Sequence, residues 1–145
     1  MSTPVESLLN IKRWGEDEAK NRFALALKEL AVAEERLLYL QMQYEETGRK
    51  LMCVTGGPVT MAELARMNDY REGLFVKIEL QHEVITEKER QVESARLLLA
   101  EASKERKTFE RLNDKQKEAR DKEARRVEQI GADEHAVTGH TRKTE

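Results

Sequence analysis

The side chains able to do chemistry are few in this chain, and their spacing does not assemble them. There is one cysteine and there are three histidines in 145 residues. Gly56-Gly57 lacks the following Lys-Ser or Lys-Thr of a phosphate loop, and it lies between two helical patterns rather than after a strand. Cys53, beside those glycines, reads as a reduced, unpaired thiol rather than a redox centre. His135 and His140 sit in a polar C-terminal stretch without further ligands, and His82 falls in mid-helix with a structural or surface role. No facing carboxylate pair completes an acid–base set. Basic residues of the C-terminal third are not interleaved with aromatics, so they make no stacking platform for single strands. The expected protein is not an enzyme, holds no metal or cofactor, and binds no nucleic acid.

The elements around those residues follow a seven-residue apolar repeat. Phe23, Leu30, Leu37, Tyr44 and Leu51 recur every seven residues, with Ala26, Ala33 and Leu40 at a second seam position. After the segment Cys53–Thr60 the period returns in Leu64, Ile78, Ile85, Val92 and Leu99, interrupted by Arg71. Pairing Leu51 with Leu64, Leu37 with Ile78, Leu30 with Ile85 and Phe23 with Val92 keeps each pair's residue numbers at one constant total. An antiparallel hairpin turning at Gly57-Pro58 has that property, and sustained heptads mark a coiled-coil seam. The predicted fold is all-α: a long two-helix antiparallel coiled-coil hairpin with a longer C-terminal helix.

Composition agrees with that reading. Charged residues make up 37% and aromatics 5%, a mixture typical of long helices. The formal net charge of −2 provides no general attraction to nucleic acid or anionic lipid. No apolar run is long enough to span a bilayer and no signal peptide opens the chain, so a cytosolic protein without direct membrane insertion is expected.

Local signals set the boundaries. Thr3-Pro4-Val5-Glu6 reads as a capping box with proline at the first helical position. Thr60 and Glu63 repeat the box for the second helix, with Val59 and Leu64 as a hydrophobic staple. These place one hairpin over residues 1–131: a first helix at about 4–53, a turn at 54–59 with Gly56 as a cap, and a second helix at about 60–130. Gly131 is the expected stop and residues 132–145 the expected disordered tail. Under the constant pairing Pro4 lies level with Arg111, so Leu112 to Ile130 has no partner within the chain. Phe109, Leu112, Gln116, Ala119, Val127 and Ile130 carry a looser apolar stripe onward into that overhang, whose charge is mildly basic.

The surface is also wrong for a solitary hairpin. With Leu37, Leu40 and Tyr44 on the seam, Leu38, Tyr39 and Met42 point outward. Val76 and Leu80 do the same on the second helix, with Phe75 on the flank. Such a belt reads as a contact surface, or as the face on which two hairpins pack.

The order of these features resembles the FliJ family, small coiled-coil proteins of the bacterial flagellar type III export apparatus. The resemblance lies in Ala19, Ala24, the run Ala33–Leu37 and Leu40, then Asn68-Asp69-Tyr70 through Ile78 and Gln81-His82. It continues through Lys104–Lys107, Phe109, Leu112, Lys115-Gln116 and Val127–Glu134. It implies a non-enzymatic stalk that sits within a hexameric export ATPase, links it to a membrane export gate protein and handles export chaperones. The protein would then be cytoplasmic and peripherally held at the inner face of the cell membrane. By position it implies gate contacts at Leu40, Tyr44, Tyr70, Leu74 and His82, with the belt residues Tyr39, Met42, Val76 and Leu80 beside them. For the ATPase it implies both chain ends: Leu8, Ile11 and Trp14, together with Phe109, Arg111, Leu112, Lys115, Arg120, Arg125, Val127 and Ile130. The alternatives are a stalk of a virulence-type secretion system, a prefoldin-like holdase and a plain structural dimer.

Overall fold

The computed structural model describes residues 3–53 and 59–144. Helix α1 spans Pro4–Cys53 and helix α2 spans Met61–Thr144, and there is no strand among the described residues. The turn expected at Gly57-Pro58 and the cap expected at Gly56 lie outside the described residues. Both helix starts follow from capping chemistry. Thr3 N–H donates to Glu6 Oε2 while Glu6 N–H donates to Thr3 Oγ1, each at 3.2 Å, which satisfies two end donors reciprocally. At α2 the Glu63 N–H donates to Thr60 Oγ1 at 3.3 Å.

The chain divides into two compact units, Glu18–Ala100 and Met1–Asp17 with Glu101–Glu145. Within Glu18–Ala100 the helices run antiparallel. Lys88 Nζ donates to Glu29 Oε2 at 3.1 Å, Gln81 Nε2 to the Ala33 carbonyl at 2.9 Å, and Arg71 Nε to the Tyr44 carbonyl at 3.4 Å. Partners on α1 advance as those on α2 retreat. The core is Leu40, Leu74 and Ile78, with Leu37 and Tyr44 packed against it. Every residue of the two expected apolar frames is buried or half-buried, so the seven-residue period names the seam correctly. Burying a Leu or Ile side chain stabilises by about 1.5–3 kcal/mol, and the seam provides one such residue per turn or so.

In the terminal unit the seam becomes polar. Leu9 is buried on α1, but so is Glu16, and Asn113 is buried on α2. Arg106 Nε donates to Glu16 Oε2 at 2.7 Å. The expected pairing set Arg106 opposite Leu9, so Glu16 lies one heptad further along α1 than expected. A heptad slip carries seam residues onto seam positions, which is why apolar periodicity alone did not exclude it.

Beyond Asn113 no described residue of α2 is buried. The helix does not end at Ile130, and residues 132–144 are helical rather than a disordered tail. A single glycine inside a helix costs about 1 kcal/mol relative to alanine and stops it only by turning left-handed. Gly131 takes no left-handed conformation. Local bonds carry the helix past it: Gln129 Nε2 to Asp133 Oδ1 at 3.2 Å and Thr138 Oγ1 to the Glu134 carbonyl at 2.9 Å. Among the described residues no helix is long and apolar enough to cross a membrane.

The packing predicts a sharp contrast between neighbours. Leu74→Ala should destabilise by about 2–5 kcal/mol, whereas Leu38→Ala, on the exposed side, should change stability by less than about 0.5 kcal/mol; chemical denaturation checks both. In a Cys53→Ser background, Leu30→Cys with Ile85→Cys should cross-link within one chain under mild oxidation. Cross-links found only between chains would rule out the hairpin.

Candidate functional site

In the Glu18–Ala100 unit the seam has two chemically different flanks. One carries a groove of about 430 Å³ lined by Tyr44, Asn68, Arg71, Glu72, Phe75 and Val76. The Tyr44 and Phe75 rings lie with centroids 6.3 Å apart at 45°. The Arg71 guanidinium sits 4.0 Å from the Tyr44 ring centroid, a cation–π contact. Arg71, which breaks the apolar frame in the sequence, therefore keeps a seam position by lying on an aromatic face. Gly48 is what admits it: a Cβ there would lie 2.7 Å from Arg71 Nη2. Thr47, one residue before, is buried and donates its hydroxyl to the Gln43 carbonyl at 2.8 Å.

The expected gate residues separate on this frame. Leu40 and Leu74 are only 3% and 4% exposed; they hold the helices together and present no docking surface. Tyr44 is half-buried, while Tyr39, Met42, Tyr70, Val76, Leu80 and His82 are exposed. The expected single belt resolves into parts. Tyr39 repeats the heptad position of Leu25 and Val32, whereas Phe75 and His82 repeat that of Asn68. Val84, which lies with Leu25 and Val32, is nine residues from Phe75. At 3.6 residues per turn that is about two and a half turns, hence the other flank of the seam.

The terminal unit collects charge around its seam. Arg106 bridges Glu16 and Glu110, each at 2.7 Å, and Arg13 lies 3.7 Å from Glu110. These hydrogen bonds, to Glu16 first and Glu110 second, hold the Arg106 guanidinium above its ordinary range. Lys12 pairs with Glu105 at 3.0 Å and sits 5.6 Å from the Phe109 ring centroid. Asn113 Oδ1 is buried with no hydrogen-bond partner. It lines a groove of about 250 Å³ with Glu6, Leu9, Asn10, Arg13 and Lys117.

Of the residues expected at the ATPase, Phe109 is half-buried beneath Lys12. Leu8, Ile11, Trp14, Arg111, Leu112, Lys115, Arg120, Arg125, Val127 and Ile130 are exposed. Trp14, at 72%, is the most open aromatic of this set. By heptad position Leu8, Ile11 and Leu112 share one flank of the seam, and Glu6, Arg13 and Lys117 the other.

Sequence reasoning missed Glu16, Thr47 and Asn113 as seam residues. The signal is present in the spacing: Glu16 stands seven residues from both Leu9 and Phe23, Thr47 seven from Leu40, and Asn113 seven from Arg106. The charged groups of the terminal seam are held against one another in ion pairs. Among the described residues no group of three or more His, Cys, Asp or Glu is placed to hold a metal ion, and Cys53 is exposed.

Comparisons with known proteins bear on this geometry. The profile of the family described as "Flagellar FliJ protein" matches residues 1–145. No curated protein matches the chain. Among solved structures, a chain described as a YscO homolog, CT670, from Chlamydia trachomatis is 21% identical. The match covers 100% of this chain and 99% of that one, with a TM-score of 0.49.

The charged cluster makes its own prediction. Arg106→Met alone takes a charged partner away from the buried Glu16 carboxylate, whereas Glu16→Met with Arg106→Met replaces both groups by apolar ones. The single variant should therefore melt lower than the double variant by circular dichroism; the reverse order would mean that the pair does not hold the seam.

Proposed function

The chain belongs to the flagellar FliJ protein family, and from that premise we propose that it is the non-enzymatic central stalk of a flagellar type III protein export apparatus. The terminal unit docks in the hexameric export ATPase and the Glu18–Ala100 unit meets the membrane export gate protein. It also helps to cycle export chaperones. The protein works at the inner face of the cell membrane, held there by its partners.

One observation carries this reading: the seam stops at Asn113 while α2 runs on to Thr144, with every described side chain of that stretch exposed or nearly so. A helix without a neighbour is marginal in water and gains its stability from packing. Leu8, Ile11, Trp14, Leu112, Val127 and Ile130 would supply apolar contact. Arg111, Lys115, Arg120 and Arg125 would steer the approach to acidic groups on the ATPase, a rate effect that falls as salt shortens the Debye length from about 10 Å at 0.1 M to about 3 Å at 1 M. In the other unit Tyr39, Met42, Tyr70, Val76, Leu80 and His82 would meet the gate, on a frame set by Leu40, Tyr44 and Leu74.

Truncation after Lys117 removes no buried residue. It should leave the melting of the remainder nearly unchanged yet abolish stimulation of the purified cognate ATPase. Full stimulation by the truncated chain would overturn the ATPase assignment. Tyr39→Ser, Met42→Ser and Leu80→Ser combined should preserve helicity and lower gate binding by about tenfold or more. A large fall in melting temperature with binding intact would instead make these residues part of the core.

A further inference from the structure

The flank opposite Phe75, which also carries Tyr39, holds a groove whose lining residues the stalk reading does not use. It lies between α1 and α2, has a volume of about 560 Å³, and is lined by residues 25, 28, 29, 32, 33 and 36 of α1 and 81, 84 and 88 of α2. Its floor is aliphatic: Leu25, Val32 and Val84 are 57%, 57% and 42% exposed. Large side chains left this open in one cluster mark a contact surface. From the structure we infer that this groove, floored by Leu25, Val32 and Val84 and rimmed by Lys28, Arg36 and Lys88, docks an acidic amphipathic helix of a partner protein.

Three observations select that occupant. First, the walls are two helices whose backbone donors and acceptors are satisfied within the helices, so an extended strand finds no edge to pair with. A third helix laid between them meets lining residues at spacings of three and four, the ridges into which its own side chains fit. Second, the rim is basic. Beside the Lys88–Glu29 pair at 3.1 Å it holds Lys28 and Arg36, a surplus of two positive charges. Acidic residues flanking an apolar stripe therefore complement it, and basic ones repel it. Third, the chain's own uncovered helix is a poor match. Residues 114–144 hold eight Lys or Arg and seven Asp or Glu, with no acidic bias to meet this rim, so a second copy offering that helix gains nothing from the charge. Arg36, on the rim, lies 5.4 Å from the Tyr39 ring centroid.

The inference stands independently of the stalk reading and is tested without the export apparatus. Two fluorescein-labelled helical peptides of about 18 residues, some five turns, share one Leu/Ile stripe; one carries Glu on its flanks and the other Lys. Each is titrated by fluorescence anisotropy against the full chain with Cys53→Ser. The acidic peptide should bind at least about tenfold more tightly than the basic one, and Val32→Glu or Val84→Glu should each weaken it about tenfold. Lys28→Glu with Arg36→Glu should invert the preference. All four positions are exposed or on the rim, and unchanged circular dichroism confirms that the variants fold. Equal binding of the two peptides, or binding indifferent to Val32→Glu and Val84→Glu, overturns the proposal. So does self-association in sedimentation that Val32→Glu abolishes, since the occupant would then be a second copy.

Discussion

Each helix here offers one stripe to one neighbour, and that constraint governs everything else in the structure. A stripe that repeats every seven residues tolerates sliding by seven, because each seam residue then lands on another seam position. Apolar burial makes the helices adhere but says little about where. The polar residues on the seam decide that. Glu16 is 5% exposed and its partner Arg106 is largely shielded; another register would take the guanidinium away from this buried carboxylate, which is unfavourable. Arg71 acts in the same sense within the other unit, where only the level of Tyr44 and Gly48 offers both a ring to cover and room for the guanidinium.

This explains which parts were legible in the sequence. The periodicity of Phe23 to Leu51 and of Leu64 to Leu99 named the seam, because a repeating apolar residue has only one reason to repeat. The capping boxes at Thr3 and Thr60 named the helix starts, because their hydrogen bonds are local. The register near the chain ends was not legible. It depends on an ion pair between residues ninety positions apart, and the period is unchanged by a one-heptad slip. Gly131 misled for a different reason: glycine permits a stop without imposing one, and the difference lies in a backbone conformation that composition does not reveal.

The candidate surfaces were legible in kind and not in arrangement. Counting outward-facing apolar residues found Leu38, Tyr39, Met42, Val76 and Leu80, but a count ignores angle. One residue advances a helix by about 100°, so Leu38 and Tyr39 face different directions although they are adjacent in the chain. The flanks that result differ in chemistry. One is aromatic, with Arg71 laid over Tyr44 beside Phe75; the other is aliphatic, with Lys28, Arg36 and Lys88 around it. A two-helix seam thereby presents chemically distinct faces, and residues buried in the seam, Leu40 and Leu74 among them, contribute by fixing the angle between those faces.

The same reasoning accounts for the stretch of α2 past Asn113. With no seam to bury, its helicity rests on local terms: ion pairs such as Arg126 with Glu123 at 2.8 Å, and Thr138 and Thr141 hydroxyls bonded back to carbonyls one turn earlier. Each such term is small and exposed to water and salt. A partner packing on Val127 and Ile130 would add the hydrophobic term that the stretch lacks, and would add it only when bound. Such a partner would therefore stabilise this segment by mass action, in a way that the Leu40–Leu74–Ile78 core, complete within its own unit, does not need. A stalk built this way keeps a fixed framework where its own helices meet and lets its uncovered helix depend on what surrounds it.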